Sequence, residues 1–480
     1  MRQQKKITKK HGITLISLVI TIVIMLILAG VAISIAVGDG SVTQHAENAA
    51  EKWGSSVINE QISIDEALSY LPGSSPSDLP EGWDSTKVAD VVEEESTNRK
   101  APIPVGYTAS QISTEDEISE GLVIYQTETA VIGEPNSQAH ITAMEEINQY
   151  VWIPVDDIND MVMCKKNGTS GTGGSTCNLV YDVTSNQITC QTHGYSTATE
   201  LSDDSASPNF IDTTGLAGRL YGMDATDPDG DKIYTTSMAF TQASKDAHKF
   251  TTQYREPDLV TSKDNSNYQL VLNESSQALE SANALKHQLN KKFIEMAKSV
   301  AKYGGFYVSR YEAGANGASL KNQQVLVAGT STATNHNPDT YINGNMWYGM
   351  YNILMSSTAI DKTAVNSHMI WGCQYDQIIK FLSENSINDP QTGHTTRQLD
   401  AQKLTGETST DIMSNIYDLE GNNCEWTAQA DNALNRVLRG GWFSDVAYDS
   451  SFYPASYRLY GDYPTNARCR YASRSTLYIK

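Results

Sequence analysis

The sequence predicts an α+β protein in which a long N-terminal α-helix precedes a loop-rich head of short strands and a few helices. Three observations predict it. Ile13–Val37 is an apolar run of 25 residues without one ionisable side chain, long enough for a single continuous helix. Further on, Gly121–Tyr125, Tyr150–Val155 and Phe306–Tyr311 are short stretches of β-branched and aromatic residues, which read as strands. Leu285, Leu289, Phe293, Met296 and Val300 recur at helical spacing before Gly304-Gly305, and strands and helices do not alternate as a βαβ repeat would.

At 480 residues and 39% hydrophobic content the chain exceeds one ordinary domain and can bury a large core. Its formal net charge is −21 and no long Lys/Arg block interrupts the acidity, which excludes a nucleic-acid binder, since phosphate contacts need clustered cations.

The first helix is a membrane segment. Residues 1–12 hold Arg2, Lys5, Lys6, Lys9 and Lys10 and no acid. A helix over Ile13–Val37 is about 37 Å long, more than the ~30 Å hydrocarbon layer. No Lys or Arg follows the span until Lys52, so the N-terminus is expected in the cytoplasm and the rest outside. A cleaved secretory signal has a shorter apolar stretch, of roughly 7–15 residues.

Beyond the span, Val42, Ala46, Ala49, Trp53, Val57, Ile58 and Ile62 keep helical spacing, so the helix is expected to continue as a stalk to residue 71. Leu71-Pro72-Gly73-Ser74-Ser75-Pro76 stops it, and residues 72–104, with the acidic run Glu93-Glu94-Glu95, read as a linker. The head is expected over 105–480.

Within the head, residues 160–265 shift to Gly, Ser, Thr and Asp and read as an insertion of loops. It contains Cys164, Cys177 and Cys190, without the CxxC or His spacing of a metal cluster, so ordinary thiols are the expectation. With Cys373, Cys424 and Cys469 the six cysteines admit 15 full pairings, and spacing assigns none. Asp224, Asp227, Asp229 and Asp231 around Gly230 read as a solvated turn, without the spacing of an EF-hand.

Lys9-Lys10-His11-Gly12 followed by Ile13-Thr14-Leu15-Ile16-Ser17-Leu18-Val19 resembles the N-terminus of type IV prepilins of Gram-positive clostridia. The resemblance implies cleavage after Gly12 by a prepilin peptidase, methylation of Ile13, and other pilins as partners. The family's Glu at the fifth mature position is Ser17 here, which fits a minor pilin or a simple anchor better than a major pilin.

A second resemblance lies near the C-terminus. Asn415-Ile416-Tyr417-Asp418-Leu419-Glu420-Gly421-Asn422-Asn423-Cys424-Glu425-Trp426, then Arg439-Gly440-Gly441-Trp442, with Tyr150–Val155 opening the fold, is similar to the formylglycine-generating-enzyme-like (sulfatase-modifying-factor-like) superfamily. It implies a C-type-lectin-like head with long ordered loops and a structural calcium ion at Asp418 and Glu425 through side chains and Gly421 and Asn423 through carbonyls. Oxygen donors so close together suit Ca²⁺. The family's two copper-holding thiolates fall on Asp445 and Ser450, and neither is a soft ligand, so no oxidase activity is expected.

Residues 436–480 instead gather seven of the chain's 25 tyrosines, six arginines and only three aspartates. Rigid rings beside adaptable polar groups make a recognition surface. The expected contacts are Trp442, Phe443, Asp445, Tyr448, Asp449, Phe452, Tyr453, Tyr460, Asp462, Tyr463, Asn466, Arg468, Arg470 and Tyr471, with Tyr457 and Tyr478 as core candidates. The arrangement resembles the variable proteins of diversity-generating retroelements, which implies that 440–475 is the varied segment. The function expected is a cell-surface, adhesin-like binder of an extracellular protein or cell-surface ligand, on the membrane or at a pilus tip. The alternatives are a minor pilin or secretion pseudopilin with a structural role, and a diverged formylglycine-generating-type oxidase.

Overall fold

The computed structural model describes residues 79–127, 136–164, 178–192, 195–197, 220–222, 282–327, 346–385, 401–430, 435–443, 454–464 and 470–480, with single residues between them. They belong to one compact unit, Leu79–Lys480. The leader, the apolar span, the stalk and the cluster Asp224–Asp231 lie outside the described residues. Among the described residues no helix is long and apolar enough to cross a membrane.

The elements make the unit α+β. Strands β1 (Val88–Glu94) and β2 (Arg99–Pro104) form a hairpin, followed by β3 (Thr108–Ala109), β4 (Val123–Tyr125), helix α1 (Gln138–Met144) and β5 (Gln149–Pro154). Next come β6 (Val162–Cys164), β7 (Leu179–Asp182), β8 (Gln187–Cys190), β9 (Tyr195–Ser196) and β10 (Leu220–Gly222). Helix α2 (Ala282–Tyr303) leads into β11 (Gly305–Ser309), and α3 (Met346–Ser356), β12 (Val365–Met369) and α4 (Gly372–Asn385) follow. The chain closes with β13 (Ile412–Met413), β14 (Ile416–Tyr417), β15 (Cys424–Ala430), β16 (Arg436–Arg439), β17 (Arg458–Asp462), β18 (Tyr471–Ser473) and β19 (Ser475–Ile479).

The frame is a six-stranded antiparallel sheet in the order β12-β19-β11-β5-β4-β3. Its two faces bury different side chains, as the two-residue period of a strand requires. From β5 and β11, Val151, Ile153, Phe306 and Val308 enter the larger core with Leu289, Phe293, Met296 and Val300 of α2. Tyr150, Trp152 and Tyr307 enter a second core, closed by Val88, Ala101 and Ile103 of the β1–β2 hairpin. The strands read as unbroken apolar runs because both faces are covered.

That second core corrects the linker. The head starts at Leu79, and residues 88–104 are an antiparallel hairpin whose inward residues cover the sheet. Its outer face carries Glu93 paired with Lys100 at 2.6 Å, which made the segment look solvated. The loop insertion needs a correction too: β7, β8 and β9 form an antiparallel sheet, and Leu179 and Ile188 join the larger core. Alternating residues such as Gln187-Ile188-Thr189-Cys190 bury one side only, so a low apolar fraction does not exclude strands. Cys190, Cys373 and Cys424 are buried.

A buried polar bridge joins the N-terminal strands to the C-terminal part. Arg310, following β11, binds Glu115 at 2.7 Å, Gln149 Oε1 at 2.7 Å and the Asn415 carbonyl at 3.1 Å. The Tyr125 and Ser110 hydroxyls donate to the same Glu115 carboxylate.

Candidate functional site

The segment Asn415–Trp426 folds as a tight polar knot, and its residue types follow from its backbone. Ser414, Asn415, Asp418 and Asn422 all have positive φ, between 42° and 65°, a region that Asn and Asp tolerate better than most side chains. Asn415 Nδ2 donates to the carbonyls of Thr114 at 2.8 Å and Gly121 at 2.9 Å, tying the loop to the N-terminal part. Asp411 accepts the Gly421 amide at 2.6 Å, and Asp418 accepts the Gly406 amide at 2.7 Å. Gly440 has φ +73°, and a Cβ there would lie 2.5 Å from the Leu419 carbonyl oxygen, which explains the Gly of Arg439-Gly440-Gly441-Trp442.

Charge is concentrated under this loop. Glu312, Asp411, Asp418 and Glu425 are all fully buried or nearly so. Against them stands Arg474, also buried, whose Nε donates to both oxygens of Glu425 at 2.7 and 2.9 Å and whose Nη2 lies 2.5 Å from Oε1. Arg474 also donates to the carbonyls of Ser309 and Tyr417, each at 2.9 Å. Glu312 takes the Asn422 side-chain amide at 2.5 Å and the Asn423 backbone N–H at 3.1 Å. Burial, then the charges of Asp418 and Glu425, push Glu312 well above the usual carboxylate range. Burial and the neighbouring Asp411 push Asp418 up to about 8.

The four calcium candidates, Asp418, Gly421, Asn423 and Glu425, do lie in this one loop, but one of the two side-chain donors is already committed. Both Glu425 oxygens face Arg474, whereas Asp418 Oδ1 is buried with no hydrogen-bond partner among the described residues. Among the described residues no group of three or more His, Cys, Asp or Glu is placed to hold a metal ion. A cation entering here has to displace a guanidinium.

The knot holds the two walls of the expected contact surface. The Asn422 carbonyl accepts the Phe443 amide at 2.8 Å, and the Cys424 amide donates to the Arg470 carbonyl at 3.0 Å. Across the gap the Arg470 guanidinium lies over the Trp442 ring at 4.6 Å, a cation–π distance. Asp462, ending β17, accepts from the Tyr471 hydroxyl at 2.7 Å and from Arg468 Nε at 3.3 Å. The sheet beneath has the order β17-β16-β15-β18, with β15 and β18 parallel.

Of the fourteen expected contacts the structure brings together seven: Trp442, Phe443, Asp462, Tyr463, Arg468, Arg470 and Tyr471. Arg468 is exposed, and Trp442, Asp462, Tyr463 and Arg470 are half-buried. Phe443 and Tyr471 are buried at 9% and 2% exposure, so they support the surface and do not form it. Tyr471 packs edge-on against Trp426 at 5.1 Å. Asp445, Tyr448, Asp449, Phe452, Tyr453 and Asn466, with Ser450, lie outside the described residues, as does the side chain of Tyr460.

The basic character of 436–480 is also largely internal. Arg436, Arg439, Arg458 and Arg474 are buried, with Arg439 2.7 Å from the buried Asp376 and Arg436 stacked on Trp347 at 4.1 Å. Only Arg468 and Arg470, among the described arginines of the segment, reach towards solvent. Sequence reasoning missed Glu312, Asp411 and Arg474 as the loop's supports. Glu312 carried one faint signal, a carboxylate directly after the apolar run Phe306–Tyr311. No family model, curated protein or solved structure matches the chain.

Proposed function

We propose that the chain is a surface-displayed binding protein, anchored in the membrane or at a pilus tip by its prepilin-like N-terminus, with a C-type-lectin-like head that captures an extracellular protein or cell-surface ligand. The observation that carries this reading is the Trp442–Arg470 pair, with Arg468 and Arg470 both over the Tyr471 ring: an aromatic and cationic surface tied to the knot. Aromatic rings and arginines dominate the energetics of recognition surfaces, and here the backbones of Arg470 and of Phe443, next to Trp442, are held by hydrogen bonds that do not involve the exposed atoms. The reading extends to the varied segment 440–475 and to processing after Gly12 by a prepilin peptidase. It assigns no catalytic residue.

The test is capture by the full-length protein, in detergent, on an array of glycans and extracellular proteins. The expected result is a reproducible set of hits that Arg468→Ala/Arg470→Ala loses while its unfolding temperature is kept. A wild type that captures nothing, or a double variant that captures as well, refutes the reading. Diversification has its own check in the flanking DNA, where a reverse transcriptase and a near-copy of the codons for 440–475 are expected, and their absence removes it.

A further inference from the structure

A cavity of about 250 Å³ shares no lining residue with the Trp442–Arg470 surface. It lies between the last turns of α2 (Glu295, Lys298, Ser299, Lys302, Tyr303), Asn366 of β12 and the end of the chain's last strand (Tyr478, Ile479, Lys480), with Asn186 at its edge. In a protein of formal charge −21 this is a concentration of cations. Lys298, Lys302 and Lys480 line it, and Lys362 lies beside Lys480, whose ammonium donates to the Lys362 carbonyl. Its one carboxylate side chain, Glu295, is paired with Lys292 at 2.7 Å. Neither Lys298 nor Lys302 is in a salt bridge with a described residue, although the Glu295 carboxylate acts on Lys298 and the Asp84 carboxylate faces Lys302. Burial, followed by Lys292 and Lys480, lowers Lys362 to about 8, the direction expected where positive charge is crowded.

Three hydroxyls of the lining, Ser299 Oγ, Tyr303 Oη and Tyr478 Oη, are buried with no hydrogen-bond partner among the described residues, although buried polar groups are normally satisfied. Two ammoniums outside any salt bridge and three unused hydroxyls, with the Asn366 amide on the same wall, are donors that suit a ligand with several accepting oxygens and more than one negative charge. A monocarboxylate leaves a cation and at least one hydroxyl unused, whereas a phosphate monoester offers three terminal oxygens and a charge near −2. The volume is below that of drug-sized pockets, roughly 300–1,000 Å³, so the ligand is a small molecule and not a polymer. We propose that this cavity binds a small phosphorylated molecule, its phosphate held by Lys298, Lys302 and Ser299, and its body against Ile479 and the ring of Tyr303.

Isothermal titration of the full-length protein in neutral detergent, with inorganic phosphate, glucose 6-phosphate and glucose as probes, tests this. Saturable binding of at least one phosphate-bearing probe, none of glucose, and weakening as ionic strength rises are expected. Lys298→Gln/Lys302→Gln is expected to weaken binding at least about tenfold and Ser299→Ala about fivefold. All three positions lie outside the polar knot, and unchanged unfolding temperatures establish that the variants fold. Arg468→Ala/Arg470→Ala is expected to bind phosphate as the wild type does, which separates this site from the proposed contact surface. If neither phosphate probe binds below about 10 mM, or the double lysine variant binds as the wild type does, the proposal fails.

Discussion

Replacing Arg474 by methionine tests whether a guanidinium holds the Asn415–Trp426 knot together. Methionine keeps much of the apolar volume but removes the charge and every hydrogen bond. Arg474 is fully buried and bonds Glu425 at 2.5–2.9 Å. Its loss leaves Glu425 buried and unpaired beside Glu312 and Asp418, a situation that costs about 3–5 kcal/mol. The Ser309 and Tyr417 carbonyls also lose their donor, at about 1 kcal/mol or more each. The expected loss, at least about 4 kcal/mol, is a large part of a typical domain's stability. Urea unfolding of the full-length protein followed by tryptophan fluorescence reads it, and Glu425→Leu/Arg474→Met provides the control. Removing both charges eliminates the unpaired carboxylate, so the double variant should be more stable than Arg474→Met alone. A single variant that loses less than about 1 kcal/mol, or a double variant no better than the single, refutes the account.

Four further outcomes follow from the same geometry. Asp418 titrates near 8 in the fold against about 3.9 unfolded, so the native state holds the proton; its stabilising contribution is complete below about pH 4 and is lost as pH rises through 8. The unfolding temperature of Asp418→Asn minus that of wild type should therefore increase from pH 5 to pH 8, and a decrease contradicts the raised value. Calcium at millimolar concentration should leave the unfolding temperature within about 1 °C, because Glu425 is committed to Arg474; a rise of several degrees returns the ion to the loop. Gly440→Ala should cost about 2 kcal/mol or more from its positive φ and the 2.5 Å approach of Leu419 O; an unchanged urea midpoint shows that the approach is relieved cheaply. Mass spectrometry of the membrane-extracted protein should show residues 1–12 removed and Ile13 methylated, and a mass unchanged by mutating Gly12 rejects the prepilin reading.

The central sheet was legible because burial on both faces left continuous apolar runs at β5 and β11 that no helical spacing explains. Helix α2 was legible for the complementary reason, one buried stripe at Leu289, Phe293, Met296 and Val300. The β1–β2 hairpin was not, since an edge covering a core from one side shows its charged face to the reader and alternates only weakly, with Val88 in and Ala89 and Asp90 out. The contact surface was legible in part. Composition located a dense group of rings and arginines, yet four of the six arginines turned inward to Asp376, Trp347 and Glu425 or their surroundings. Composition cannot separate a guanidinium that meets a ligand from one that neutralises a buried carboxylate, because both are written Arg. Nor can a local motif reveal Glu312, which reaches Asn422 across 110 positions of sequence.

Those inward arginines bear on how a binding surface of this kind can change. Residues 436–480 contain two sets with opposite tolerances: Arg436, Arg439 and Arg474 complete buried contacts, while Trp442, Tyr463, Arg468 and Arg470 keep part of their surface in solvent. The segments that carry Trp442 and Arg470 are held through main-chain atoms, Phe443 N to Asn422 O and Arg470 O to Cys424 N, which remain whatever the side chains at 442 and 470 are. A substitution at Arg468 thus alters what the surface offers while the frame keeps its hydrogen bonds, and surface changes of that kind stay within about ±0.5 kcal/mol, whereas Trp442 also packs against the larger core and the Tyr457 ring and tolerates less. A substitution at Arg439 strands Asp376 at 0% exposure and costs several times as much. If 440–475 is varied in nature, the changes must therefore fall on the exposed set and spare Arg474, although both lie in the same stretch of chain.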